Sequence, residues 1–265
     1  MTLKQAENLE FFQFDLFAGA NLTHGLFTRK GGISPAPWHS LNLGGTTGDR
    51  RENVIENRRR IFDCVGRPVE SIFDTWQVHG VHVIFPEAPR PLDGVHEKAD
   101  IIITDRPELT LFMRFADCVP IMLYDPRKNV IGLVHAGWQG TVKLAARVAV
   151  EAMAQRYGCQ PGDILAGIGP SIGPDDYEVG EDVAERFRHA FGEQAGRLIR
   201  CENGKMYLNL WEANSIVLRA CGVHEIEVAG ISTASDTTRW YSHRAENGAT
   251  GRYGALIALG EVWGK

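Results

Sequence analysis

Two periods of apolar residues run through this chain. In "GDRRENVIENRRRIFDCVG" (48–66), Val54, Ile55, Arg58, Ile61 and Phe62 recur on a helical period, with Asp49 and Glu52 at capping-box spacing ahead of them. Short apolar runs at 81–85, 99–105, 109–115, 119–124 and 130–134 predict strands, and "YDPRKNV" predicts a hairpin turn between the last two. Residues 141–157 read as an amphipathic helix with Val142, Ala145, Val148 or Ala149, Ala152 and Met153 on its apolar face and Gly158 as its stop. A strand at 164–168, helices at about 181–191 and 211–221, and a strand at 225–231 follow. Nearer the start, 22–44 reads as a strand running into a Gly/Pro-rich loop. Hairpins mixed with helices imply an α/β (mixed α+β) protein, with mixed β-sheet layers flanked by helices, not a doubly wound fold. Without a repeat, linker or low-complexity tract, one compact domain over 1–265 is expected.

Composition narrows the function classes. Hydrophobic residues make up 44% and charged residues 23% of the 265 positions, ordinary for a globular enzyme. A net charge of −5 makes no electrostatic case for nucleic acid or an anionic membrane. The run Arg58-Arg59-Arg60 reads as a solvated helix face. The N-terminus has early charges and no apolar stretch of secretory type, and no segment is long enough to span a bilayer. Five scattered cysteines without a CxxC pair do not form a disulfide framework or zinc ribbon, which suits a cytoplasmic setting.

The candidate chemistry lies at strand edges. His79 in "TWQVHG", Cys118 in "FADCVP" and His135 in "LVHAGW" each border an apolar run beside Gly, Pro or Asp. A thiolate with two imidazoles is a plausible Zn²⁺ donor set, leaving a fourth position for water or substrate. Zinc would lower the pKa of a bound water to about 7. Their spacing matches no local metal motif, so two other readings stand: a buried cysteine with two core histidines, or a Cys118 nucleophile with His135 as base. Gly137 and Gly140 flank Trp138, and "GIGPSIGPDDYEVG" is a second glycine-rich loop; either lets backbone approach a ligand or is merely a tight turn. Arg29, Arg244 and Arg252 stand near glycines, where a guanidinium fork could clamp phosphate or carboxylate. No dinucleotide or P-loop glycine motif is present.

Taken in order, "HGLFTRKGGIS", "SLNLG", "NRRRI", "WQVHG", "ADCVPIMLYDP", "GLVHAGWQGT", "GIGPSIGPDDYEVG", "LNLWEAN" and "YSHRAENGATGRYGALI" resemble the laccase-domain family, also called the multicopper polyphenol oxidase or purine nucleoside phosphorylase family. The match spans nearly the whole chain. The resemblance implies a catalytic metal, usually zinc, on His79, Cys118 and His135. It also implies phosphorolysis of adenosine, inosine or guanosine with phosphate, accompanied by adenosine deamination and methylthioadenosine cleavage. Arg29 is then the first candidate for binding phosphate and Arg244 the second. Asp117 would act as acid/base or steady a metal ligand, and Trp138 would border the substrate. Copper-based phenol oxidation is disfavoured, because the chain has nine histidines and no His-x-His pair, although an N/S site has some affinity for copper. Two rivals remain: a metal-free Cys/His hydrolase or amidase, including an editing role on cell-wall precursors, and a metal-binding regulatory or interaction protein without turnover. A monomer or small homo-oligomer is expected. Gln139, Asp175 with Asp176, and Ser232 depart from the usual Arg, Cys-Cys and Cys of the family, and are expected to alter the charge of the pocket.

Overall fold

A computed structural model describes residues 1–260, so the last five positions of the expected 1–265 domain lie outside the described residues. The first half contains β1 (Thr2–Ala6), β2 (Leu9–Gln13), β3 (Leu22–Phe27), α1 (Arg51–Cys64), β4 (Ile72–Asp74), β5 (Val83–Ile84), β6 (Ile101–Thr104), β7 (Thr110–Phe115), β8 (Val119–Asp125) and β9 (Val130–Ala136). Next come α2 (Trp138–Val142), α3 (Ala145–Tyr157), β10 (Leu165–Ile168), β11 (Glu178–Val179), α4 (Glu181–Phe191) and α5 (Ala195–Leu198). The series ends with β12 (Ile199–Glu202), β13 (Lys205–Leu208), α6 (Leu210–Ala220), β14 (Glu225–Val228) and β15 (Tyr253–Leu259).

Two six-stranded sheets carry the architecture, in the orders β1-β2-β3-β15-β7-β4 and β14-β10-β8-β9-β6-β5. Most pairs are antiparallel, while β4/β7, β5/β6 and β10/β14 are parallel. Strand alternation explains the layering. Leu111 and Met113 of β7 meet Met122 of β8 and Leu133 of β9 between the sheets. The opposite parity, Ile121, Leu123 and Val134, packs under α3 and α6. On the far side Phe112 and Leu256 join Ile61 and Phe62 of α1. A helix–sheet–sheet–helix stack results, the flanked mixed-sheet architecture expected from the sequence.

Several local expectations change. The helix expected at 141–157 starts earlier, at Trp138, and breaks at Leu144, which adopts φ 60°, ψ 43° before α3 begins. Gly158, with φ 69°, ends α3 as expected. The capping box fails because Asp49 is engaged elsewhere: its carboxylate accepts from Ser34 Oγ (2.6 Å), Asn42 Nδ2 (3.0 Å), Asn53 Nδ2 (3.0 Å) and the Arg50 N–H (2.8 Å). It therefore clamps the preceding loop, and Arg50 takes the N-cap position. Ile55 is 55% exposed, off the face that Val54, Ile61 and Phe62 bury. The strand expected at 81–85 shrinks to Val83–Ile84. The β1–β2 hairpin and the small β11-β13-β12 sheet were not anticipated, their strands being short or largely exposed. Among the described residues no helix is long and apolar enough to cross a membrane.

Candidate metal centre and cleft

Separate segments bring the three candidate ligands together. Cys118 sits in the short link between β7 and β8, His135 is the penultimate residue of β9, and His79 lies in the loop after β4. Pro120 pairs with His135 across β8 and β9, so the hairpin predicted from "YDPRKNV" sets the Cys118–His135 register. One donor atom from each of the three residues lies within 4.8 Å of the other two. Cys118 Sγ stands 3.8 Å from His79 Nε2, and the two imidazole rings meet edge-on with centroids 5.0 Å apart. Gly137 is required here, since a Cβ would lie 2.8 Å from Cys118 Sγ and 3.1 Å from His79 Cδ2.

The organiser of this trio is Asp100, a residue the sequence reading did not single out. Its buried carboxylate accepts from the backbone N–H groups of Val78 (3.2 Å), His79 (3.0 Å) and Gly80 (2.7 Å). It also bonds His135 Nδ1 at 2.8 Å, while the Asp100 carbonyl accepts the His135 N–H. Three amides on one carboxylate hold His79 at φ 60°, a strained position for a non-glycine residue. Lys143 Nζ, just before the break at Leu144, donates to the His79 carbonyl at 3.0 Å. With Nδ1 facing Asp100, His135 turns Nε2 toward Cys118, the orientation that carboxylate–histidine pairs give metal ligands. Its visible signal was a charged residue at the head of the apolar run "ADIIITD".

Charges within the trio reinforce one another. Burial disfavours a Cys118 thiolate, yet the charge of His135 and hydrogen bonds from both imidazoles bring its pKa down to about 6. Burial likewise disfavours an imidazolium, but Cys118 and Asp100 lift His135 to about 9. For Asp100, burial opposes ionisation and the partners His135, Gly80 and Val78 win, holding the carboxyl below its usual range. One sulfur and two nitrogens, pre-aimed and with a low-pKa thiol, are a set that a tetrahedral Zn²⁺ accepts.

The trio opens on a cleft of about 930 Å³. Seven arginines line it, among them Arg58, Arg90, Arg114, Arg244 and Arg252, against two aspartates, Asp93 and Asp117. A protein of net charge −5 has thus gathered a cationic wall around one opening. Asp117 lies on the wall at φ 80°; its carboxylate accepts from Thr233 Oγ1 (2.8 Å) and the Arg244 N–H (2.7 Å). Arg244 donates to the Glu178 carbonyl and stacks over Tyr177, 5.1 Å from the ring centroid.

Other expected site residues fall elsewhere. Arg29 is locked by the carbonyls of His39, Thr237 and Trp240, by Glu246 at 2.9 Å, and by the face of Tyr241. It does not line the cleft, so its guanidinium clamps loops rather than facing the opening. Trp138 packs into the helical layer with Arg186 over its ring, also away from the cleft. The Arg58–Arg60 run is not one solvated face: Arg59 and Arg60 pair with Glu56, whereas Arg58 turns toward Asp74 in the cleft wall. Asp175 pairs with Arg200, and Asp176 accepts from Ser232 Oγ and Ser235 Oγ at 2.5 Å each. None of these three departures lines the cleft, so the expected change of pocket charge does not arise from them. Gln139 sits half-buried in α2, also off the lining.

The pattern described as multi-copper polyphenol oxidoreductase laccase matches residues 23–260. The chain belongs to this laccase-domain family. A protein of Deinococcus radiodurans named purine nucleoside phosphorylase is 39% identical over 237 residues, covering 89% of this chain and 88% of the relative. Purine nucleoside phosphorylase YlmD of Bacillus subtilis is 34% identical, covering 90% and 88%. The crystal structure of YlmD from Geobacillus stearothermophilus superposes with a TM-score of 0.91 at 33% identity, over 97% of this chain and 98% of that one. The laccase-domain fold seen there is thus the helix–sheet–sheet–helix stack described above.

Proposed function

We propose that this chain is a zinc-dependent purine nucleoside phosphorylase, acting in the cytoplasm on adenosine, inosine or guanosine. The observation that carries the reading is the convergence of His79, Cys118 and His135 at a cleft walled by arginines. The naming of its laccase-domain relatives agrees with it. In the reaction, a phosphate oxygen bonds to ribose C1′ as the C1′–N9 bond breaks, leaving ribose 1-phosphate and a purine that takes up a proton. His79, Cys118 and His135 would hold the zinc, which supplies Lewis-acid polarisation when bound. Asp100 keeps both imidazoles aimed, and Arg244 and Arg252 present positive charge to phosphate. Asp117, on the wall beside Cys118, would handle the purine's proton. Adenosine deamination and methylthioadenosine cleavage belong to the same proposal as further activities of this cleft. A multi-copper oxidase centre finds no support in a donor set of two imidazoles and one thiol.

A second reading has its own observation. Cys118, His135 and Asp100 form a thiol–imidazole–carboxylate chain with a depressed thiol pKa, the arrangement of a cysteine hydrolase. One experiment separates the two. Phosphate-dependent release of base and ribose 1-phosphate from adenosine and inosine is measured alongside zinc content. The expected result is one zinc per chain and turnover that depends on phosphate. Cys118→Ala and His79→Ala should each lower kcat/KM by on the order of a thousandfold, since removing even a ligand's hydrogen-bond partner costs about 10–100-fold. Full activity in both variants, or no phosphate-dependent product from the zinc-loaded protein, would overturn the proposal. Phosphate-independent hydrolysis by metal-stripped protein would favour the second reading.

A further inference from the structure

Asp74, the last residue of β4, is fully buried and has drawn three guanidinium groups to itself. Arg90 Nε donates to Oδ1 at 2.7 Å, Arg114 to Oδ2 at 3.2 Å, and Arg58 stands 3.6 Å from Oδ2. His96 Nε2 bonds the same carboxylate at 3.1 Å. Three positive charges on one negative charge leave an excess of two, all of it on the cleft wall. Burial and the neighbouring Arg114 push the Arg58 pKa down to about 10, with Asp74 opposing; Arg90 adds to the downward push. The guanidinium groups are rigidly held. Arg58 is fastened to the Leu43 carbonyl, Arg90 to those of Pro91 and Gly94, and Arg114 to Gln77 and the Thr75 carbonyl. Among the described residues the second amino group of Arg90 has no protein acceptor. A prearranged surplus of forked donors in a concave wall is the arrangement that recognises phosphate oxygens.

We propose that Arg58, Arg90 and Arg114, held by Asp74, form a phosphate-binding subsite distinct from the metal trio, taking the 5′-phosphate of a nucleotide or inorganic phosphate. Both subsites open on one cleft, and Arg114 is four residues from Cys118, so their α-carbons are at most roughly 14 Å apart. A ligand with a nucleoside at one end and a phosphate at the other can therefore address both. The subsite rests on the phosphorylase reading only for what becomes of the phosphate; binding itself is independent of turnover.

The test is calorimetric titration of the zinc-loaded full chain with inorganic phosphate, adenosine and adenosine 5′-monophosphate. It compares wild type with Arg58→Gln, Arg58→Lys and, as a charge-matched control, Arg60→Gln. Wild type is expected to bind the monophosphate more tightly than adenosine. Arg58→Gln should weaken the monophosphate and phosphate by about tenfold or more while leaving adenosine within about twofold, as loss of a charge-assisted bond predicts. Arg58→Lys should recover part of the loss, and Arg60→Gln should change nothing. If phosphorolysis then shows a raised KM for phosphate, the co-substrate is the occupant. If that KM holds and only the nucleotide weakens, the occupant is the ligand's own phosphate. Unchanged phosphate and nucleotide affinities in correctly folded Arg58→Gln, or no phosphate or nucleotide binding by wild type, would overturn the subsite. Intact nucleotide binding without nucleoside phosphorolysis would overturn the phosphorylase reading alone.

Discussion

Two buried aspartates stand at the ends of strands beside one cleft, and they do opposite things. Asp100 is surrounded by three backbone N–H groups and one imidazole, and the groups it positions gather donors for a cation. Asp74 is surrounded by three guanidinium groups and a histidine, and leaves a positive surplus for an anion. The same side chain, equally buried, yields opposite local charge because amides carry no net charge and guanidinium groups do. Partner type, rather than burial, decides what each carboxylate makes of its surroundings.

Breaking Asp74 should have the larger effect on stability. Asp74→Ala strands one buried and two half-buried cations, and removing the shared partner of such a cluster costs up to about 3–5 kcal/mol. Urea unfolding checks this; a loss below about 1 kcal/mol would mean that the arginines find water or other partners. The same carboxyl predicts an acid limit. Its folded pKa lies well below its ordinary value, because His96 and the arginines overcome burial. Its stabilisation is therefore complete above the unfolded value of about 3.9 and is lost as pH falls from there toward the folded pKa. A pH series of unfolding midpoints should show that decline, flattened in the Asp74→Ala variant.

Asp100→Asn tests the other half with a smaller expected change. The amide has a single acceptor oxygen, so it keeps the N–H bonds on one side only, sets an NH2 against donors on the other and loses the charge that faces His135; zinc affinity should fall about 10–100-fold. Competition with a chromophoric chelator measures it, and unaltered affinity would remove Asp100 from its positioning role. The smallest effect is a shift in reactivity. In metal-free protein, alkylation of Cys118, located by mass spectrometry, should stay fast down to pH of about 6, whereas an ordinary thiol slows below about 8.5. Zinc should protect Cys118 while leaving exposed Cys201 reactive. Alkylation of Cys118 with an ordinary thiol profile would show that the His135 pairing does not hold in solution.

Legibility from sequence varied with the range of the interaction. His79, Cys118 and His135 stood out as polar residues at strand edges, and the extended likeness along the chain singled them out as ligands. Arg114 inside "LTLFMRF" was an equally visible irregularity whose partner, Asp74, is 40 residues away. Arg29 shows the converse. A guanidinium among glycines looks free in one dimension, but Thr237, Trp240 and Glu246 arrive from more than 200 positions away to close around it. The helix at 141–157 was recognised by its period, yet its break at Leu144 obeys no local signal.

By itself the sequence determined the alternation that stacks two sheets between helices, the β8–β9 hairpin that sets Cys118 against His135, and the residue types a zinc ion accepts. Those depend on short-range periodicity and on intrinsic chemistry. Only the tertiary structure decided which carboxylate meets which cation, that Arg58 turns to Asp74 while Arg59 and Arg60 pair with Glu56, and that Asp176 answers Ser232 instead of the pocket. Electrostatic partners are chosen by distance in space, and a chain folded through two stacked sheets makes sequence separation a poor measure of that distance.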